Sequence, residues 1–140
     1  MRCVLDTNVV VAAMRSPTGA SAALLMAARH AEVTLLANVA LALEYEATCQ
    51  LAEHRLAAGL GPDEVSIFID ALLAMVEPVE THFMWRPQLR DPADELVLEA
   101  AVNGRAAALV TFNRRDFGAT PAGFGIDVLT PAEAIRRIRT

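Results

Sequence analysis

The chain of 140 residues predicts an α/β fold, a three-layer sandwich with a mainly parallel five-stranded sheet flanked by helices. Three observations lead there. Short apolar runs alternate with longer segments of helical periodicity, the signature of successive strand–helix units. The apolar runs are continuous rather than alternating, which fits strands covered on both faces. Two of them turn polar only as they end, at Leu5-Asp6-Thr7-Asn8 and at Val110-Thr111-Phe112-Asn113. The length suits one domain spanning residues 1–140 with a substantial core.

The elements follow in order. Arg2–Asp6 is the first strand, broken by Thr7 and Asn8, with helical material from Val9 to Met14. Ser16-Pro17-Thr18-Gly19 is a turn, and Ser21 is placed to cap a helix over 20–30. Glu32–Ala37 is the second strand, and Asn38 caps a long helix expected over 39–57, stopped by Gly59 and Gly61. Pro62, with Asp63 and Glu64 in the first turn, starts a helix reaching Met75. Val76–Phe83 is the third strand, its ladder limited by Pro78. Asp91-Pro92-Ala93-Asp94 opens a helix ending near Gly104, with Asp91 as N-cap. Ala107–Thr111 and Phe124–Leu129 complete the sheet, and the capping box Thr130-Pro131-Ala132-Glu133 starts a terminal helix ending in Arg136, Arg137 and Arg139.

Composition narrows the chemistry. The formal net charge is −5, which argues against a protein that holds nucleic acid by bulk charge. All 12 basic residues are arginine, so a P-loop lysine, a Schiff base and a Ser–Lys dyad are excluded. Cys3 and Cys49 sit in apolar contexts without metal-site spacing and read as buried thiols of a reducing compartment. The first segment turns polar too soon for a signal peptide, and no apolar run reaches membrane-spanning length; a soluble cytoplasmic domain is expected. His30, His54 and His82 share no spacing and read as surface or satisfied histidines, while Phe83-Met84-Trp85 suits a core or a partner patch.

The carboxylates carry the functional signal. Ligands of open parallel sheets gather beyond the C-terminal strand ends, where Asp6 falls. Glu44, with Ala40, Leu41, Ala47, Thr48 and Leu51 at helical spacing, is expected to face inward, whereas Glu46 belongs to a solvated face. Asp94 shares a face with Val97, Leu98 and Ala101, and Asp116 follows the fourth strand. Each has a plain structural alternative: Asp6, Asp91, Asp94 and Asp116 could cap helices or turns, and Glu95 could be a solvated charge. Three or four carboxylates in one pocket repel and need a cation. Hard oxygen donors of this kind suit Mg²⁺ or Mn²⁺.

Four segments resemble the motifs of PIN-domain proteins, in the right order and across nearly the whole chain. They are Val4-Leu5-Asp6-Thr7-Asn8-Val9-Val10, Leu43-Glu44-Tyr45-Glu46, residues 91–101 from Asp91 to Ala101, and residues 109–117 from Leu109 to Phe117. The overall look is similar to VapC-like toxins of toxin–antitoxin systems. The resemblance implies a small Mg²⁺- or Mn²⁺-dependent endoribonuclease. It implies Asp6, Glu44 and Asp94 as the first three acids, Thr7 and Asn8 as supports of the first loop, and Thr111 as a hydrogen-bonding group near metal or phosphate. Many relatives carry Asp where this chain has Asn113, so the fourth ligand is Asp116 or the neutral amide of Asn113. Around the third motif Asp94 ranks before Asp91 and Asp91 before Glu95. Relatives of this type receive a segment of a cognate antitoxin over the active site, and many form homodimers.

Arg114 and Arg115, beside the fourth motif, are the candidates for RNA phosphate or partner contact; the terminal arginines suit a helix C-terminus. Competing enzyme classes lack their residues. A haloacid-dehalogenase-type phosphotransferase wants Asp at Asn8, a receiver domain needs lysine, and no G-x-S-x-G elbow is present. The remaining alternative is a catalytically weak PIN-like module that binds RNA or a protein partner without cutting.

Overall fold

The computed structural model describes residues 1–82 and 88–140. Five strands, β1 (Arg2–Leu5), β2 (Thr34–Ala37), β3 (Glu77–Pro78), β4 (Ala108–Val110) and β5 (Asp127–Leu129), form one sheet in the order β3-β2-β1-β4-β5. Every neighbouring pair is parallel, with Cys3 opposite both Leu35 and Ala108, and Val110 opposite Leu129. The chain winds outward from β1 through β2 to β3, then returns to β4 on the other side of β1. The β1/β4 boundary is therefore the topological switch point, where the crevice of an open α/β sheet lies.

The connecting helices are α1 (Thr7–Arg15), α2 (Ala20–Arg29), α3 (Val39–Cys49), α4 (Ala52–Ala58), α5 (Pro62–Met75), α6 (Pro92–Asn103), α7 (Arg114–Phe117), α8 (Thr120–Gly123) and α9 (Pro131–Ile138). α6 packs on β1, β2 and β4, α9 on β5 and α2, and α1 on α2, α3 and α4. Val4, Val9, Leu36, Leu41, Leu98, Leu109 and Phe117 are among the fully enclosed side chains. Cys3 and Cys49 are free and buried, and burial pushes their thiols up to about 12 and about 11 respectively. No single helix among the described residues is long and apolar enough to cross a membrane; α1 and α2 pass only as a pair bent by 96°.

Several expected elements are corrected. The helix expected over 39–57 is two helices. Leu51 takes an extended conformation (φ −59°, ψ 134°) and becomes the N-cap of α4. The break is held by tertiary contacts: Arg55 Nε donates to the Gln50 carbonyl at 3.1 Å, and the Gln50 amide reaches the Pro62 carbonyl and Ser66 Oγ. No glycine or proline marks it. Ser21 is no cap; Gly19 occupies that position and Ser21 Oγ lies buried without a partner. The strands shrink at their ends, β2 to Thr34–Ala37, β3 to Glu77–Pro78 and β5 to Asp127–Leu129. Phe83, the expected end of β3, and the Phe83-Met84-Trp85 patch lie outside the described residues. Other local signals hold. Asn38 Oδ1 accepts from Leu41 N at 2.8 Å, Asp91 Oδ1 from Ala93 N at 2.9 Å, and Thr130 and Glu133 form a reciprocal capping box. Gly59 ends α4 in the left-handed region at φ 72°, which a side chain would disfavour.

Tyr45 links helix and sheet. It is buried with Leu41 and Cys49 along one stripe of α3, and its hydroxyl donates to the Leu5 carbonyl at 2.5 Å. Burial, and after it the charge of Asp6, holds its phenol protonated well above the ordinary range. Tyr45→Phe leaves that contact unmade at the end of β1. Urea unfolding should show a loss of about 1 kcal/mol with an unchanged m value.

Candidate active site

Asp6 is the first residue beyond β1. Its backbone amide still pairs with the Val110 carbonyl at 2.8 Å, so its position is fixed by the β1–β4 ladder. It occupies the N-cap position of α1 yet makes no side-chain cap hydrogen bond. Its carboxylate turns to the sheet crevice instead, where Oδ2 accepts from Thr111 Oγ1 at 2.7 Å. Thr111, wholly buried, is itself oriented by accepting from the Asn113 amide at 3.0 Å. Asp6 is 7% exposed, and its pKa is raised: burial is the main cause, opposed by the Thr111 hydroxyl and the Thr7 amide, and reinforced by the charges of Asp116 and Asp91.

Asp94 comes from the first turn of α6 and is 9% exposed. Its pKa is pushed up to about 6, first by burial, then by the charges of Asp6, Asp91, Asp116 and Glu95. Asp116, on α7, is exposed and completes the acidic side of the crevice. Asp91 divides its carboxylate between capping α6 and facing the same cleft.

A cleft of about 620 Å³ runs over these groups, lined by Asp6, Thr7, Asn8, Glu44, Asp91, Asp94, Asn113 and Asp116. Its other wall carries Arg15, Thr48 and His54. An adjoining pocket of about 490 Å³ shares Asp91, Asp94 and Asp116 and adds Arg90 and Arg115. The shared acids stand on the divide between the two.

Several expected residues take different postures. Glu44 is not the inward group of α3; Tyr45 is. Glu44 sits half-buried one position round, at the cleft wall, accepting from Thr48 Oγ1 at 3.2 Å. Glu95 turns to the backbone amides of Gln88 and Leu89 and does not line the cleft. Arg114 is tied to Glu133 of α9 and lines neither pocket, whereas Arg115 does. Thr7 and Asn8 do not hold their loop through side chains: Thr7 Oγ1 and Asn8 Oδ1 are buried without partners. Arg15 and His54 are the two basic side chains of the lining that the sequence reading did not place there. No motif marks them, since the turn between α3 and α4 decides where His54 lies.

Among the described residues no three His, Cys, Asp or Glu side chains converge as a ready-made metal cage. The donor set nevertheless suits a hard divalent ion. It is all oxygen, neighbouring acids raise the proton affinity of Asp6 and Asp94, and two orphaned oxygens, on Thr7 and Asn8, stand beside Asp6. Mg²⁺ characteristically takes one or two carboxylates and fills its shell with water, so a three-carboxylate cage is not required.

The sequence matches the PIN domain family over residues 2–115. The chain belongs to that family. Its fold is similar to that of a chain in the crystal structure of VapBC2 from Rickettsia felis bound to a DNA fragment from their promoter. The TM-score is 0.62 at 16% sequence identity, with 91% of this chain and 97% of that chain covered. No curated protein matches.

The acids predict a specific pH response. Between the ordinary Asp value of 3.8 and about 6, native Asp94 holds a proton that the unfolded chain releases. Its contribution to stability therefore falls as pH rises through that window. In EDTA, Asp94→Asn should flatten this slope. At pH 7 it should stabilise the protein by about 1 kcal/mol, a figure reduced for solvent screening in the open cleft. Urea melts at pH 4 and 7 check it; a variant less stable than wild type at pH 7 contradicts it.

Proposed function

We propose that the chain is a Mg²⁺- or Mn²⁺-dependent endoribonuclease, a single-domain cytoplasmic toxin of a type II toxin–antitoxin pair. The observation that carries the reading is the posture of Asp6. A residue placed to cap a helix leaves that role and is held by Thr111 at the sheet's switch point, facing Asp94 and Asp116. The PIN family and the VapBC-like fold support the toxin assignment and a cognate antitoxin as partner, and we propose a homodimer as the assembly.

Asp6 and Asp94 would hold the ion, with Asp116 and Glu44 at the cleft wall and Asp91 and Asn113 at its mouth. The ion, when bound, neutralises the phosphate and lowers the pKa of water for attack on phosphorus. Thr111 fixes which oxygen of Asp6 remains free. Arg115, in the adjoining pocket, meets a flanking phosphate. The oxygen of water joins phosphorus, the bond from phosphorus to O3′ breaks, and O3′ leaves as a hydroxyl.

This chemistry yields a 5′-phosphate and a 3′-hydroxyl. Asp6→Asn should lower cleavage of a mixed RNA pool by at least about 100-fold, the scale of losing a key electrostatic group. Circular dichroism and melting should show the fold intact, and EDTA should abolish wild-type activity. A 2′,3′-cyclic phosphate product, or full activity in EDTA, overturns the mechanism. A second reading, a PIN module that binds RNA without cutting, draws on the absence of a ready-made cage among the described residues. It is the outcome if wild type binds Mn²⁺ and RNA but leaves the pool intact.

A further inference from the structure

We infer that Arg15 is the cleft's phosphate-holding residue on the side opposite Arg115, and that His54 positions it. The inference rests on the nucleic-acid reading of the cleft and adds to it a path for the strand.

The cleft lining contains five carboxylates, on Asp6, Glu44, Asp91, Asp94 and Asp116, and one guanidinium, on Arg15. In so acidic a cleft an arginine would be expected to form an ion pair, and Arg15 forms none among the described residues. Its recorded side-chain contact is with His54, Nη1 to Nδ1 at 3.3 Å. A guanidinium can only donate, so Nδ1 accepts. The imidazole proton then resides on Nε2, which faces Glu53 Oε1 at 3.4 Å. His54 is thus a neutral acceptor, oriented from behind, that fixes the arginine without cancelling its charge. Guanidinium carries five N–H donors, and this contact leaves most of them open to the cleft.

Placement supports the same role. Asn8, Val11, Ala12 and Arg15 share one face of α1, spaced at three and four residues, and all line the cleft. α1 therefore runs as a floor from Asp6 at its start to Arg15 at its end, about 13 Å along the axis. That is too far for Arg15 to serve the phosphate at Asp6 without a long reach, and suited to a neighbouring phosphate of the same strand. With Arg115 across the acidic divide, a single strand crosses the carboxylates anchored by a cation on each side. Arg15 also ends α1, where the helix dipole favours a cation, so the position is free of conflict with the fold.

The test is equilibrium binding of a fluorescein-labelled single-stranded RNA to the full chain in EDTA across a NaCl series, read by anisotropy. Arg15→Gln should weaken binding about 10-fold, the scale of a lost charge-assisted contact. It should also make the slope of log K against log[NaCl] shallower by about 0.7, one single-strand phosphate contact. Arg15→Gln with unchanged affinity and slope overturns the proposal, including the case in which Arg15 instead serves a carboxylate of a protein partner. His54→Leu should weaken binding severalfold with the slope retained, and His54→Asn, which keeps an acceptor near the Nδ1 position, should restore it. An unchanged affinity in His54→Leu overturns the positioning role. Melting temperatures of all variants verify folding. Since no cleavage is read, failure of the nuclease mechanism leaves these outcomes interpretable, and failure of Arg15 leaves the mechanism standing.

Discussion

The hydrogen bond from Thr111 to Asp6 joins the ends of the two strands between which the chain reverses its direction of winding. The posture of Asp6 at the cleft depends on it. β1 and β4 are adjacent, parallel and in register, so the first polar residue after each meets the other across the switch point. The ladder extends one residue beyond the strands, through the Asp6 amide to the Val110 carbonyl. Backbone pairing thus sets the position of both side chains before any ligand arrives. Tyr45 reinforces the same spot from α3 by holding the Leu5 carbonyl, one residue before the carboxylate.

That arrangement concentrates charge against its own preference. Asp6 and Asp94 are buried, the charge of Asp6 raises the proton affinity of Asp94, and Asp91 and Asp116 raise that of both. A fold selected for stability alone would place an arginine among them. Instead Arg114 pairs with Glu133, and Arg15, Arg90 and Arg115 line the cleft and its neighbour without an ion pair to these acids among the described residues. Among the described residues the acids have no protein cation within hydrogen-bonding reach, a state that a bound divalent ion would relieve.

Much of this was legible in the sequence because it depends on local grammar. A buried parallel strand must end where its residues turn polar, so Asp6 and Thr111 could be placed at one sheet edge from periodicity. Asp91-Pro92 announces a helix start, and Asp91 does cap. What was not legible depends on where a chain turns without a turn residue. The α3–α4 break at Gln50 and Leu51 contains neither glycine nor proline and is held by Arg55 and by contacts to α5, so periodicity ran through it. An error of one position on α3 exchanged Glu44 for Tyr45 as the inward group. Aromatic burial competes with carboxylate burial on such a stripe and wins, because only the phenol can satisfy its polar atom with a fixed backbone carbonyl. Arg114 and Arg115 are adjacent and chemically alike, and only the fold decides that one meets α9 while the other lines the pocket that Asp91, Asp94 and Asp116 share.

The net charge of −5 takes on a different meaning in this light. As a bulk quantity it opposes nucleic-acid binding, since a polyanion is repelled by a negative surface. The charge is not spread evenly: five of the acids line one cleft, and they occupy the position where a cation and a phosphate would together be accommodated. On the proposed function, the carboxylates alone would weaken RNA binding by the flanking arginines without abolishing it, and a bound ion would reverse the local sign so that both act in the same direction. Affinity for RNA would then be coupled to metal occupancy by the carboxylates proposed to hold the metal. The absence of lysine leaves planar, permanently charged guanidinium as the side chain that completes such a site.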